Sequence, residues 1–404
     1  MVDAPLLGRS GSGATQASLR AHNLALVARQ IVGSRRPVSR ADVAAATGMT
    51  RSTVSRLVDD LVSARIISEQ SPSGDGQRGR PGVPLVAASG TLVCLGLEVN
   101  VRHLAACLVD LAGNRLAEQV AAGDHAHRPP AEVLGRLAEL GQACLAGTPP
   151  RARCIGVQLA VPGLVDASGQ RLLRAPNLGW LDVTPGPVLR SAGVVAVDVD
   201  FGLSNEADCA ARTVLEQAPG RAGEVDSFLY LSGEVGIGSA AVAGGAVMTG
   251  RHGWAGEIGH VCVDPDGPRC ACGASGCLET YAGRDALLTR AGQPDLAGLQ
   301  GAVAAGDQRA VDAVRQAAQA LGIAVAGALN LLDLGHVVLG GHLAELGSQL
   351  IPTLRAELDT RVLSAPFATP TVSVARPDAA AAAVGAAYAG LDRLLAEPAS
   401  WAGD

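Results

Sequence analysis

A winged helix-turn-helix head on an α/β body is the fold class predicted for this chain of 404 residues. Three observations predict it. Two short helical segments with a glycine between them stand near the N-terminus, and strand-like apolar runs then alternate with longer helical segments. The charge also divides: residues 1–90 hold 11 arginines against 6 acids, and the remainder holds 21 against 32. A basic head before an acidic body suits a protein of which one end alone meets a polyanion.

With 48% hydrophobic residues the chain can bury a sizeable core in two or three domains. No basic-then-apolar leader opens it, and no apolar run reaches the roughly 18 residues of a membrane span, so a cytoplasmic protein with no membrane partner is expected. Nine cysteines, an odd number and scattered apart from one cluster, fit a reducing compartment better than a disulfide framework. All 32 basic residues are arginine. Lysine is thereby excluded as catalytic base, Schiff-base former or phosphate anchor.

The first domain is assigned to residues 1–88, opening on a flexible Gly/Ser-rich start. In "ASLRAHNLALVARQIV", Leu19, Leu24, Val27 and Ile31 recur at approximately helical spacing. Ser39 with Asp42 three residues on predicts a capping box, Thr50 an N-cap for the next helix, and Gly48 the tight turn between them. Val54, Leu57, Val58, Leu61 and Val62 make one apolar stripe of that second helix. Arg51, Ser52, Thr53 and Arg56 are left outward near its start, where a major-groove helix reads base edges and arginines meet phosphates. The following "ARIISEQSPSGDGQRGRPGVPLVA" reads as strand, tip and strand, a wing. Its Arg78 and Arg80 either enter a minor groove or belong to a solvated linker.

The second domain is assigned to residues 89–398. "TLVCLGLEV", "HLAACLVDL" and "RLAEQVAAG" read as consecutive antiparallel strands; "RCIGVQLAV", "VVAVDVD", "FLYLSG", "HVVLGG" and "TVSVA" follow, with helical segments at 131–146, 204–217, 308–332 and 379–396. Such alternation predicts substantially parallel sheets. In the loop 260–279, His260, Cys270, Cys272 and Cys277 offer one imidazole and three thiolates, with Gly273 and Gly276 permitting tight turns. Four such ligands close a tetrahedral zinc site, and with no position left for water the metal is structural, one ion per chain. Cys262, in the apparent strand "HVCVD", is expected in the core.

"GEIGHVCVDPDGPRCACGASGCLETYAG" resembles the signature of the ROK family of repressors and sugar kinases. "AVPGLVDASG", "APNLGW", "SNEADCAA", "GIGSAAVAGG" and "VVLGGHLAE" fall in that family's order, and the winged head followed by "GRPG" is similar to its regulators. The resemblance implies a two-lobed actin/hexokinase-like (ribonuclease H-like) body with a sugar in its cleft. It assigns Asn205, Glu257, His260 and Glu279 to sugar hydroxyls, with Gly163 letting backbone approach the ring. His260 is then shared, one nitrogen on zinc and the other toward the sugar, so that the metal fixes its tautomer.

Departures from the kinase pattern bear on activity. Where family kinases carry Asp-x-Gly-Gly-Thr this chain has Glu98, Val99, Asn100, Val101 and Arg102, and where they carry Gly-Thr-Gly-Ile-Gly it has Glu234, Val235, Gly236, Ile237 and Gly238. Side chains replace the bare backbone that cradles phosphates. Glu206 stands for the base aspartate, suited to holding a hydroxyl, and Asp208 for the motif's second asparagine. The expectation is a sugar-controlled transcriptional repressor without kinase activity, binding operator DNA as a homodimer or homotetramer. Its rivals are an active sugar kinase with an appended DNA-binding head, and a regulator controlled by a partner protein.

Overall fold

The computed structural model describes residues 16–71 and 83–401. They form two compact units, one of residues 16–71 and 83–88 with 393–401 and the other of residues 89–392.

In the first unit, helices α1 (Gln16–Val32), α2 (Arg40–Thr47) and α3 (Arg51–Ser63) pack through Leu24, Val27, Ile31, Val43, Val54, Leu57, Val58 and Leu61. Leu19 is not part of this core; it sits on the outer side of α1, 52% exposed. The expected caps form. Ser39 and Asp42 make a reciprocal capping box, Gly48 adopts a left-handed φ of 70°, and Thr50 accepts from the Thr53 amide. These local bonds set the α2–α3 turn. Ile67–Glu69 pairs antiparallel with Leu85–Ala87, forming the base of a wing. The short turn Pro398–Ser400 lies against α1, a placement with no signal in the sequence.

The second unit holds two five-stranded sheets of the same design. In one, Leu92–Val99, His103–Asp110 and Arg115–Ala122 run antiparallel in succession, while Arg153–Val161 and Asp200–Asn205 add in parallel on the other side. In the other, Phe228–Gly233, Ile237–Ala243 and Ala246–Val247 form the antiparallel run, with His336–Gly340 and Thr371–Val374 added in parallel. Such parallel additions require helical crossovers. The repetition makes two lobes, each with its own core: one around Leu95, Leu97, Leu159 and Leu137, the other around Leu231, Leu321, Leu339 and Leu350.

Helix Ala381–Ala396 crosses the first sheet at backbone contact, because a Cβ on Gly96 would stand 1.7 Å from the Ala383 carbonyl. The expected strand "VVAVDVD" does not form. Val194 and Val195 are buried in a loop, Val197 is 98% exposed, and the strand begins at Asp200. No helix among the described residues is long and apolar enough to cross a membrane.

Candidate functional site

A cleft between the two lobes gathers Gly163, Asn205, Glu206, Glu257, His260 and Glu279, all the residues predicted to face a sugar. Counted with its open mouth, the space among these residues is about 620 Å³.

Asn205 ends a strand and caps the helix Glu206–Leu215. Its Oδ1 accepts from the Ala207 amide at 2.8 Å and its Nδ2 donates to the Gly163 carbonyl at 3.1 Å. One amide hydrogen is left for a ligand. Gly163 holds a φ of 103°, and a Cβ there would come within 2.1 Å of the Arg174 carbonyl, so only glycine fits this wall. Glu206 follows at the first helical position, with Oε2 3.3 Å from the Asn100 side-chain nitrogen. Burial, then the nearby Glu98 and Glu234 carboxylates, push its carboxyl up to about 8. Asp208 rises to about 7 through burial, partly relieved by Arg212. Glu234 likewise rises to about 7, chiefly by burial.

On the opposite wall, the short 3₁₀ turn Ile258–His260 and the helix Glu279–Ala282 bring His260 between acids and thiols. His260 Nδ1 lies 3.8 Å from Cys270 Sγ and 3.4 Å from Glu279 Oε1, while Nε2 lies 3.8 Å from Glu257 Oε2. Burial raises the Glu257 carboxyl, His260 opposing. Ligand atoms of His260, Cys270, Cys272 and Cys277 all fall within 4.8 Å of one another. Cys272 Sγ and Cys277 Sγ are 3.7 Å apart, close to the roughly 3.8 Å that two thiolates take on a tetrahedral zinc with bonds of ~2.3 Å. The donor set and spacing fit a four-coordinate metal. Cys262 is excluded from the cluster and, contrary to expectation, is exposed: it makes only an isolated bridge to Cys277, not a core strand.

Sequence reasoning did not single out Asn177 as a site residue. It lines the cleft from the short turn Pro176–Leu178, and its Nδ2 comes within 2.7 Å of where a Cβ on Gly236 would stand, with Glu279 Oε2 at 2.6 Å from the same point. The signal available was its motif "APNLGW". The lobes are also tied across the cleft. Arg102 Nη2 meets both Asp285 oxygens at 2.9 and 3.0 Å, and Trp254 Nε1 donates to the Val165 carbonyl at 2.8 Å.

In the head, Arg51, Ser52 and Arg56 are exposed on the first turns of α3, and Arg51 and Arg56 form no ion pair among the described residues. Thr53 is half-buried, its hydroxyl 2.9 Å from that of Thr50. Arg40, by contrast, is held by Asp59 and Glu69. Arg78 and Arg80 lie outside the described residues.

The model of the ROK family matches residues 94–392, most of the chain. The chain belongs to the ROK family. Residues 25–78 match a MarR family model, so a ROK body stands behind a DNA-binding head, the make-up of a transcriptional regulator. The xylose repressor of Bacillus subtilis (strain 168) is 28% identical over 357 residues, covering 87% of this chain and 90% of that protein. A crystal structure of a ROK family transcriptional regulator, a homologue of the Escherichia coli MLC protein, shares the fold. Its TM-score is 0.75 at 24% identity, over 94% of this chain and 99% of that one. The ROK hexokinase from Thermus thermophilus matches the body, at 29% identity, 73% of this chain, 97% of that one and a TM-score of 0.58.

Proposed function

We propose that this ROK regulator is a repressor of sugar-metabolism or transport genes whose operator affinity is set by a sugar or sugar derivative in the interlobe cleft. The observation carrying this reading is the cleft's uneven equipment. Polar groups suited to hydroxyls converge in it, and Asn100, Val101 and Glu234 line it at positions where the kinase pattern has phosphate-cradling glycines. Gly163, Asn205, Glu206, Glu257, His260 and Glu279 hold the sugar; directional hydrogen bonds from buried groups reject the wrong epimer. Arg51, Ser52, Thr53 and Arg56 face operator DNA, joined by Arg78 and Arg80 from the wing.

His260, Cys270, Cys272 and Cys277 hold one structural zinc, which braces the wall bearing Glu279 and leaves His260 Nε2 toward the cleft. Phosphoryl transfer is not part of this reading. The protein acts in the cytoplasm as a homodimer or homotetramer, because an operator with two half-sites calls for two heads. The effector acts through its preference for one of two conformations.

Fluorescence anisotropy of DNA from the gene's upstream region, with and without a sugar panel, tests the proposal. Specific binding shifted by one compound supports it. Specific binding indifferent to every compound removes the sugar from the mechanism, and sugar-dependent ADP formation in a coupled assay would favour the rival kinase reading.

A further inference from the structure

The charge lining the cleft bears on its ligand. Glu206, Glu234, Glu257 and Glu279 all border the cavity, and among the described residues no arginine does; the chain has no lysine to offer. The basic groups nearby are committed elsewhere. Arg102 is held by Asp285 at 2.9 Å, Arg212 by Glu216 at 2.8 Å, and His103 Nε2 faces Glu98 at 3.1 Å. Arg284 acts on Glu234 without bordering the cavity. His260 does border it, but its two ring nitrogens face the thiol cluster with Glu279, and Glu257.

Glu234 is fixed in this arrangement. Its amide donates to the Gly236 carbonyl at 3.0 Å, and its carbonyl accepts from the Arg284 amide at 3.2 Å. Its Oε1 lies 2.8 Å from where a Cβ on Gly341 would stand, so the carboxylate covers the Gly340–Gly341 turn that ends strand His336–Gly340. Glycine turns let an anion approach backbone amides closely. Here the protein's own carboxylate occupies the approach.

We infer that the cleft takes an uncharged sugar and turns away its phosphorylated form, with Glu234 as the residue that makes the selection. This rests on the sugar-sensing reading and narrows it to a ligand class. A phosphate monoester carries between one and two negative charges near neutral pH. Bringing it from water into a cavity lined by neither arginine nor lysine leaves that charge uncompensated, and a phosphate beside Glu234 meets its carboxylate or forces it to keep its proton. Uncharged hydroxyls meet no such barrier, since carboxylates, amides and imidazole all hydrogen-bond to them.

Isothermal titration of the full-length protein tests this with matched pairs: glucose and glucose 6-phosphate, N-acetylglucosamine and its 6-phosphate, xylose and its 5-phosphate. At least one uncharged sugar binds, and its phosphate binds at least about 100-fold more weakly, the scale of one uncompensated buried charge. In Glu234→Gln the ratio falls to about 10-fold or less, while the uncharged sugar keeps its affinity within a few-fold. A wild-type protein that binds the phosphate as well as the free sugar, or better, overturns the inference and leaves the sensor reading intact. An unchanged ratio in a folded Glu234→Gln removes Glu234 from the selection. Binding of no compound from either set overturns the sensor reading, and the inference with it.

Discussion

Replacing Glu206 by glutamine is expected to stabilise the body in a pH-dependent way. The folded carboxyl titrates at about 8 against 4.5 for an ordinary glutamate, because burial and then the Glu98 and Glu234 carboxylates disfavour its charge. A folded value above the unfolded one means that the native state binds the proton more tightly. Stability from this group is therefore fully present below pH 4.5 and is lost as pH rises through about 8. The shift corresponds to a ceiling of about 5 kcal/mol, at roughly 1.4 kcal/mol per pH unit. The carboxyl borders an open cleft, where solvent screening reduces that ceiling to about 2–3 kcal/mol. Glutamine keeps the shape and never ionises. Thermal melts of wild type and Glu206→Gln at intervals from pH 5 to 9 should nearly coincide at the acidic end and separate progressively, the variant melting higher above pH 8. A constant separation across that range would refute a buried, proton-holding Glu206.

Two further outcomes are expected. Arg51→Ala weakens operator binding by about 1 kcal/mol and lowers the slope of log affinity against log salt by about 1, which anisotropy titrations at several salt concentrations measure; an unaltered slope moves the DNA interface off the start of α3. Elemental analysis of purified protein finds about one zinc per chain, and Cys272→Ser loses it along with thermal stability of the body. Metal-free wild type that melts as high as the metal-bound form would contradict the zinc assignment.

What could be read in the residue order was what short-range chemistry determines. The capping box at Ser39, the left-handed turn at Gly48 and the cap at Thr50 depend on neighbours within three residues, and all three form as expected. The thiol cluster was likewise legible, since its ligands lie within one loop. Two strand readings failed. Ile237–Ala243 is rich in Gly, Ala and Ser and becomes a strand by pairing with Phe228–Gly233, whereas the β-branched "VVAVDVD" lacks such a partner. Periodicity alone does not separate an apolar loop that touches a core from a strand that crosses it. The same limit misplaced Cys262 and hid Asn177, which joins the site only because the two lobes face each other. Motif reasoning gave Asn205 to the ligand, but its side chain also caps a helix and braces Gly163.

The Arg102–Asp285 contact has a consequence for how a ligand acts on the cleft. Two-lobed enzymes close around the substrates that bind between their lobes. Here a guanidinium and a carboxylate belonging to the chain itself span the lobes. Exposed as it is, the pair contributes little stability, on the order of 1 kcal/mol or less. The lobes are thus joined by groups of the chain itself, as they are at Trp254 and Val165. On the proposed reading, a sugar then acts on a cleft whose two walls are already linked by the chain's own side chains.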